Sequence, residues 1–162
     1  MSNLSLAGWL ERLEQLHPSA IDLGLNRCGE VARRLDLVDT GIITATVAGT
    51  NGKGTTVAVM ESVLCASGVH CGAFTSPHLI RFNERIRVDG QEVSDETIVA
   101  AFEAIERARE EISLTYFEFG ALAALWIFKT FNVQYQLLEV GLGGRLDAVN
   151  IIDADGTVSA AI

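Results

Sequence analysis

Residues 47 to 56, Val-Ala-Gly-Thr-Asn-Gly-Lys-Gly-Thr-Thr, combine three glycines with a lysine and several hydroxyl side chains. Glycine has no Cβ, so backbone N–H groups in such a segment can approach phosphate oxygens without steric conflict. A helix that starts near the end of the segment adds about half a positive charge, and the lysine adds a full one. The segment therefore predicts phosphate contacts from Gly49, Thr50, Asn51, Gly52, Lys53, Gly54 and Thr55, with Lys53 also in a catalytic role.

The flanking residues predict how this loop is held. The β-branched run 42–46 precedes it and the apolar run 57–60 follows it, which indicates a strand, a loop and a helix. The simpler alternative is a tight turn that needs only glycine, but Lys53 is one of only two lysines in the chain. The common spacing is G-x-x-x-x-G-K-[ST], whereas Gly54 here separates the lysine from Thr55. A generic GTPase or kinase therefore fits less well.

Two further oxygen-bearing side chains follow apolar segments that read as strands. Glu139 closes the run 136–138, and Ser76 follows the run 72–75. Carboxyl ends of parallel strands meet at one edge of a sheet, where ligands bind. Glu139 therefore has the position of a carboxylate that holds Mg²⁺ beside phosphate, although an ordinary hydrogen bond is the alternative. For Ser76, a Ser-Pro turn is the better interpretation from the residues alone.

Alternating periodicity predicts an α/β fold, with a mostly parallel sheet flanked by helices. Ser94 and the two acidic residues after it predict a helix start. The expected helices cover residues 6–16, 27–35, 94–112 and 116–131, with another after the glycine-rich loop. The expected strands cover residues 42–48, 69–75, 135–140 and 157–162, with a small Asp-Gly hairpin over 85–93.

Composition limits the class of protein. The chain has 162 residues, 49% of them hydrophobic, and a net charge of −9, which indicates one globular domain over 1–162 and argues against nucleic-acid binding. Three cysteines without metal-type spacing indicate reduced thiols and a cytoplasmic protein. The N-terminus does not resemble a signal peptide. The apolar run 119–128 is too short to cross a bilayer and predicts a buried helix, so no membrane partner is expected.

The glycine-rich segment resembles the nucleotide loop of the Mur ligase superfamily, in its folylpolyglutamate synthase and dihydrofolate synthase branch. Other segments agree in type and order with that family, and the last of them is highly specific. They are Ile-Asp-Leu-Gly-Leu at 21–25, Thr-Ser-Pro-His-Leu at 75–79, Phe-Asn-Glu-Arg-Ile at 82–86, Thr-Tyr-Phe-Glu at 115–118, and Glu-Val-Gly-Leu-Gly-Gly-Arg-Leu-Asp-Ala at 139–148. The resemblance implies a P-loop NTPase-like Mur ligase central domain.

The resemblance also implies roles for individual residues. Ser76 and Glu139 match the family's serine and glutamate ligands of magnesium. The pocket for pteroate or folate is implied at Asp22, Leu23, Gly24, Leu25, Thr115, Tyr116, Phe117, Glu118, Leu146, Asp147 and Ala148. Phe117 could stack on a flat pterin, but the residues alone leave core packing equally open. Arg81, Arg85 and Arg87 are expected on a loop over the pocket or in solvent, and His78 is expected to be structural.

The reaction that the resemblance implies is ATP- and Mg²⁺-dependent amide formation. A carboxylate of dihydropteroate or folate attacks the γ-phosphate to give an acyl phosphate, and the amine of L-glutamate then displaces phosphate. The full-length enzyme is expected to be a monomer with small-molecule substrates only. Two other classes stay open, namely a generic P-loop phosphotransferase or NTPase and a noncatalytic nucleotide-binding module.

Family members continue beyond the last strand seen here. They carry an Asp-His segment with a further metal-binding histidine, a lysine that is often carbamylated, and a carboxy-terminal domain that helps to bind ATP and glutamate. None of these is present in residues 1–162. We therefore expect a truncated amino-terminal portion, which does not complete ligation by itself.

Overall fold

A computed structural model describes residues 4–16, 24–142, 144–153 and 155–160, with the backbone alone for 156–160. Within these ranges the α-helices are α1 (Leu6–Leu16), α2 (Asn26–Arg34), α3 (Lys53–Ala66), α4 (Asp95–Arg109) and α5 (Tyr116–Thr130). The strands in the same ranges are β1 (Ile43–Gly49), β2 (Cys71–Phe74), β3 (Ile86–Val88), β4 (Gln91–Glu92), β5 (Tyr135–Glu139) and β6 (Gly156–Ala160). The predicted elements are therefore confirmed, with ends that move by a few residues. The predicted end of the first helix at His17 and Pro18 lies outside the described residues.

The strands form one sheet in the order β4-β3-β2-β5-β1-β6. Strands β2, β5, β1 and β6 are parallel, whereas β3 and β4 are added to one edge as an antiparallel hairpin. The expected mostly parallel sheet is confirmed. The strands of the first βαβ unit are not neighbours, because β5 pairs with β1 on one side and with β2 on the other.

Helices cover both faces of this sheet. Helix α3 packs on one face, where Val57 meets Val47, Ala73 and Leu137 in a small buried cluster. The other described helices lie on the opposite face around a larger cluster that includes Trp9, Phe102, Phe119 and Phe128. The run 119–128 is a core segment of α5, as predicted, and only Trp126 within it is partly exposed. None of the helices in the described ranges is long and apolar enough to cross a membrane.

The helix starts follow the predicted capping chemistry. The hydroxyl of Ser94 accepts a hydrogen bond from the N–H of Thr97 at the start of α4. Thr115 and Glu118 form a reciprocal capping box at the start of α5, in which each side chain accepts a bond from the other residue's N–H. Both caps fix a helix end without help from distant residues, which explains why local sequence reveals them.

Helix α5 lies close to the sheet because β2 carries a glycine at the contact. A Cβ at Gly72 would lie 2.3 Å from Cδ1 of Phe128. This distance is far below a van der Waals contact, so the phenyl ring occupies the space of the missing side chain. The close packing of α5 on β2 therefore depends on this glycine.

The β3–β4 hairpin turns at Asp89 and Gly90, as the Asp-Gly pair predicted. Both residues have positive φ, 51° and 76°, which is typical of the two-residue turns that join strands in hairpins. The Asp89 carboxylate contacts His70 Nδ1 at 2.6 Å and accepts a bond from the N–H of Cys71. His70 Nε2 lies 2.9 Å from the carbonyl oxygen of Phe131. This histidine therefore joins the hairpin, the start of β2 and the end of α5.

Candidate active site

The glycine-rich segment forms an open loop between β1 and α3. Gly49 ends the strand, Thr50 and Asn51 are exposed, and Gly52 has φ of 76° where it caps the helix. The first turn of a helix leaves N–H groups without partners inside the helix. In α3 this turn contains Lys53, Gly54 and Thr55, so unpaired donors and the positive helix end face the loop. The loop is therefore shaped to receive an anion.

The side chain of Lys53 folds back onto the glycine-rich loop. Its Nζ donates a hydrogen bond of 3.0 Å to the carbonyl oxygen of Gly49, four residues earlier. The other lysine of the chain, Lys129, donates instead to the carbonyl oxygens of Leu35 and Asp36. Lys129 therefore binds the backbone just after α2, whereas Lys53 adds its charge to the glycine-rich loop.

Glu139 and Ser76 meet beside the first turn of α3. Glu139 ends β5, is 5% exposed, and accepts a 3.0 Å hydrogen bond through Oε2 from the N–H of Ser76. A Cβ at Gly54 would lie 3.8 Å from the same oxygen, which places the carboxylate next to the loop. The predicted convergence of the two strand ends is therefore observed.

The chemistry of this pair suits a hard cation. A buried carboxylate needs compensating charge, and a carboxylate with a hydroxyl supplies the oxygen donors that Mg²⁺ prefers. In the described part of the chain, no group of three or more acidic, histidine or cysteine side chains could hold a metal by itself. This fits Mg²⁺ in nucleotide sites, where one or two protein ligands are completed by phosphate oxygens and water.

A cavity of about 420 Å³ lies on the other side of Ser76. Ser76 and Pro77 line both this cavity and a groove of about 640 Å³ along α3 that contains the loop and Glu139. The lining of the cavity is Gly24, Lys53, Ser76, Pro77, Arg85, Thr115, Phe117, Glu118, Gly141, Leu142, Leu146, Asp147 and Ala148. A ligand in the cavity would therefore reach the same serine and lysine that face the loop.

Most of the residues expected at the substrate pocket line this cavity. Gly24, Thr115, Phe117, Glu118, Leu146, Asp147 and Ala148 are all among them. Leu25, at the start of α2, and Tyr116, whose ring packs edge-on against Phe82, are not among the lining residues. Asp22 and Leu23 lie outside the described residues.

The structure places Phe119 in the core, as expected for the run 119–128, and shows where Phe117, left undecided by the sequence, lies. Phe119 is fully buried in the core, whereas Phe117 is partly exposed and forms part of the cavity wall. A Cβ at Gly141 would lie 2.7 Å from the ring of Phe117, so glycine is required where the loop passes this ring. The Phe117 ring is therefore held by packing against Gly141 but is not fully buried in the core.

Asp147 and Glu118 also hold their own surroundings together. The Asp147 carboxylate accepts bonds from the N–H groups of Leu142 and Val149, and burial raises the pKa of this carboxyl above its ordinary value. The Glu118 carboxylate accepts from the Thr115 N–H and pairs with Arg27 at 3.1 Å. Both carboxylates therefore shape the cavity walls as well as line them.

Arg85, expected over the pocket or in solvent, lies at the cavity in an environment that the sequence did not predict. It is only 9% exposed and lines the cavity, where its guanidinium stacks on the rings of Phe82 and Tyr116 at 5.5 and 5.6 Å. Its Nε donates to Nδ1 of His78 at 2.7 Å, and no carboxylate among the described residues pairs with it. Because Tyr116 lies about thirty positions later in the chain, no local pattern reveals this environment.

The other two arginines of this segment differ from Arg85. Arg81 is exposed and pairs with Glu92, in agreement with the expectation of a solvated side chain. For Arg87 that expectation is wrong, because its side chain is 19% exposed and pairs with the buried Glu61 at 2.9 Å. Alternation along β3 could have found this residue, since Ile86 and Val88 point into the core and Arg87 must face the other side.

We next compared the sequence of the chain with those of known proteins. No protein-family model matches the chain. A dihydrofolate synthase/folylpolyglutamate synthase of Escherichia coli is 54% identical over 97% of the chain, and the one of Haemophilus influenzae is 48% identical over the same share. The chain spans 37% and 36% of the lengths of these two relatives.

Solved structures show the same fold. The structure of E. coli FolC with DHPP and ADP superposes with a TM-score of 0.95 at 54% identity, covering 97% of this chain and 38% of that one. Mycobacterium tuberculosis folylpolyglutamate synthase with ADP gives a TM-score of 0.87 at 30% identity, covering 95% and 36%. Over its own length, the chain therefore belongs to the dihydrofolate synthase/folylpolyglutamate synthase family, whose amino-terminal part it matches.

Proposed function

We propose that the chain is the nucleotide- and pteroate-binding part of an ATP-dependent ligase that joins L-glutamate to dihydropteroate or folate. The observation that carries this proposal is the shared wall between the phosphate loop and the cavity. Ser76 and Lys53 border the cavity, and Ser76 also borders the groove that holds Glu139 and the loop. A carboxylate in the cavity would therefore lie next to the terminal phosphate of a bound nucleotide.

The nucleotide side is assigned to the loop and its neighbours. Gly49 to Thr55 would hold the polyphosphate through their N–H groups, and Lys53 would place its ammonium beside the phosphate that is transferred. Ser76 and Glu139 would hold Mg²⁺, which when bound supplies positive charge to the phosphate oxygens. Support comes from a family structure that contains Mn, AMPPNP and L-glutamate and is 50% identical to this chain.

The substrate side is assigned to the cavity. Phe117, Leu142 and Leu146 offer a flat aromatic and apolar surface that suits a pterin ring and excludes water. Arg85 is a buried cation without a carboxylate partner among the described residues, and it suits the anionic end of the substrate. The carboxylate would attack the γ-phosphate to form an acyl phosphate and ADP, and the amine of glutamate would then displace phosphate. Support comes from the family structure with DHPP and ADP.

Cellular location follows from the same proposal. The structure contains three cysteines without disulfide bonds, Cys28, Cys65 and Cys71, which is typical of a reducing compartment. ATP and reduced pterins are also metabolites of the cytoplasm. We therefore assign the protein to the cytoplasm.

The test compares the two lysines of the chain. Lys53→Ala should weaken binding of Mg²⁺-ATP to the 162-residue chain roughly 10- to 100-fold, because a charge-assisted contact to phosphate is lost. Lys129→Ala is the matched control and should leave nucleotide binding unchanged, since Lys129 donates to the Leu35 and Asp36 carbonyls and does not line the loop groove or the cavity formed by the described residues. Isothermal titration calorimetry measures both. Equal effects of the two substitutions would contradict the assignment of the loop.

A second measurement separates the ligase from the other two classes. Dihydropteroate should raise the melting temperature of the chain by mass action, because the cavity is formed by the described residues. Nucleotide binding without any effect of dihydropteroate would instead favour a phosphotransferase or a noncatalytic nucleotide-binding module. In a longer polypeptide that includes the downstream part found in the relatives, ADP release should require both dihydropteroate or folate and glutamate.

A further inference from the structure

An ion pair lies in the wall of the groove beyond the loop. Glu61 of α3 is 6% exposed, and both of its carboxylate oxygens accept bonds from Nε of Arg87, at 3.2 and 2.9 Å. The two side chains border the same groove as Ser76 and Glu139. Buried carboxylates in globular proteins are rare unless they are paired. The pairing accounts for the burial of Glu61, but not for the position of the pair beside the loop.

Arg87 also binds the segment that carries Ser76. Its Nη1 donates to the hydroxyl of Thr75 at 3.2 Å and to the carbonyl oxygen of Glu84 at 2.9 Å. Thr75 is the residue between β2 and Ser76. The guanidinium therefore contacts, at the same time, the helix that begins at the phosphate loop and the strand end that leads to the candidate metal ligand.

We propose that Arg87, held by Glu61, is a positioning residue that fixes the Thr75–Ser76 strand end relative to Glu139 and α3, and so prepares the site for a divalent cation bound to nucleotide. This inference rests on the proposed function for the cation site, and adds two residues that do not touch substrate. Glu61 neutralises and orients the guanidinium, whose planar donors reach acceptors on three residues at once. The hydrogen bond from the Ser76 N–H to Glu139 Oε2 is the contact that this arrangement protects.

A stabilising role alone would give a different result from a positioning role. Buried ion pairs are often replaced by apolar side chains of similar size without loss of stability, because desolvation offsets their attraction. The double substitution Glu61→Leu with Arg87→Met should therefore keep the fold but remove the two bonds from the guanidinium to Thr75 and Glu84. If the pair serves only the fold, this variant should behave as the parent chain does at the cation site.

The experiment measures the strand end directly and the cation site separately. Hydrogen exchange of the Ser76 amide, followed by NMR in the ligand-free chain, should be about 10-fold faster or more in the double variant, because the strand end that carries this amide is no longer held against Glu139. Binding of Mn²⁺ with a nonhydrolysable ATP analogue, measured by electron paramagnetic resonance, should weaken roughly 10- to 100-fold, as is typical when partners of metal ligands are removed. The midpoint of urea unfolding reports whether the fold is kept.

The matched control is a second ion pair on the other face of the sheet. Glu106→Leu with Arg109→Met removes a pair in α4 whose arginine side chain is 12% exposed, together with the contact of Glu106 with Arg12, and should change neither readout. Unchanged Ser76 exchange in the Glu61/Arg87 variant would overturn the inference. The same holds if Mn²⁺-nucleotide affinity is unchanged there while Glu139→Ala abolishes it. Parent binding that is absent or independent of Glu139 would instead refute the proposed cation site, and Ser76 exchange would still decide whether Arg87 holds the strand end.

Discussion

At the scale of single residues, several side chains of the site already form hydrogen bonds with the backbone around them. Glu139 receives the Ser76 N–H, and Asp147 receives two backbone N–H groups from the loop around it. Arg85 differs from these carboxylates, because its partners among the described residues are the imidazole of His78 and two aromatic rings. A buried cation with such neighbours keeps a strong preference for an anionic ligand.

This preference gives a prediction for Arg85→Met. The substitution keeps an unbranched apolar side chain but removes the charge and the hydrogen-bond donors, so affinity for dihydropteroate should fall roughly 10- to 100-fold, the range for a hydrogen bond to a charged group. A dihydropterin without the carboxylate should bind both proteins equally, which serves as the control. Fluorescence titration measures both ligands. An equal loss for the two ligands would show that Arg85 acts through packing and not through charge.

At the scale of elements, the position of α5 decides which of its aromatic residues face the cavity. The capping box at Thr115 starts the helix, and the close contact between Phe128 and Gly72 sets its distance from the sheet near its other end. With both ends fixed, Phe119 points into the core and Phe117 points into the cavity. The orientation of the cavity wall therefore depends on a contact far from it.

The contact at Gly72 gives the second prediction. Gly72→Ala would place a Cβ 2.3 Å from the ring of Phe128, so we expect a loss of about 1–3 kcal/mol in the free energy of unfolding. Gly29→Ala is the matched control, because Gly29 lies inside α2 with no atom within 4 Å of a new Cβ. Alanine in a helix interior should raise stability by up to about 1 kcal/mol. Urea unfolding of the two variants should therefore move in opposite directions.

At the scale of the whole molecule, the pKa values of the two described histidines are shifted in opposite directions. The hydrogen bond to the Phe131 carbonyl, with a further contribution from Asp89, raises the pKa of His70 above 6.5. Burial, with the nearby Arg85, lowers the pKa of His78 below 6.5. His70 is thus favoured in its charged form and His78 in its neutral form. One joins the sheet edge to α5, and the other lies beside the cavity.

These shifts predict opposite pH dependence for two matched substitutions. The stability advantage of the parent chain over His70→Gln should be largest below pH 6.5 and should shrink as pH rises through the higher folded pKa of His70. The advantage over His78→Gln should be small in acid and should grow as pH rises to 6.5, because only the unfolded chain takes up the proton readily. Urea unfolding between pH 5.5 and 8.5 measures both. A common trend in the two variants would contradict these pKa directions.

Local sequence predicted the parts of the fold and site that local physics determines. The glycine-rich loop, the capping residues Ser94 and Thr115, and the Asp89 turn depend on neighbours in the chain. The meeting of Ser76 with Glu139 followed from one general rule about parallel strands. The strand order, the inward position of Arg85 and the pair between Glu61 and Arg87 were not predictable, because each depends on contacts between distant segments. The substrate roles carried over from family resemblance remain predictions.

The place of β5 in the sheet has a consequence for biosynthesis. This strand leaves the ribosome after β1 and β2 but lies between them, so neither can gain it as a partner until residue 139 has emerged. During translation of the preceding helix, the nascent polypeptide presents strand edges that are competent to aggregate. Glu139 arrives on the same strand that closes this gap. The chain therefore acquires its candidate cation ligand with the strand that joins β1 to β2, while the other edge of β1 stays open until β6 follows.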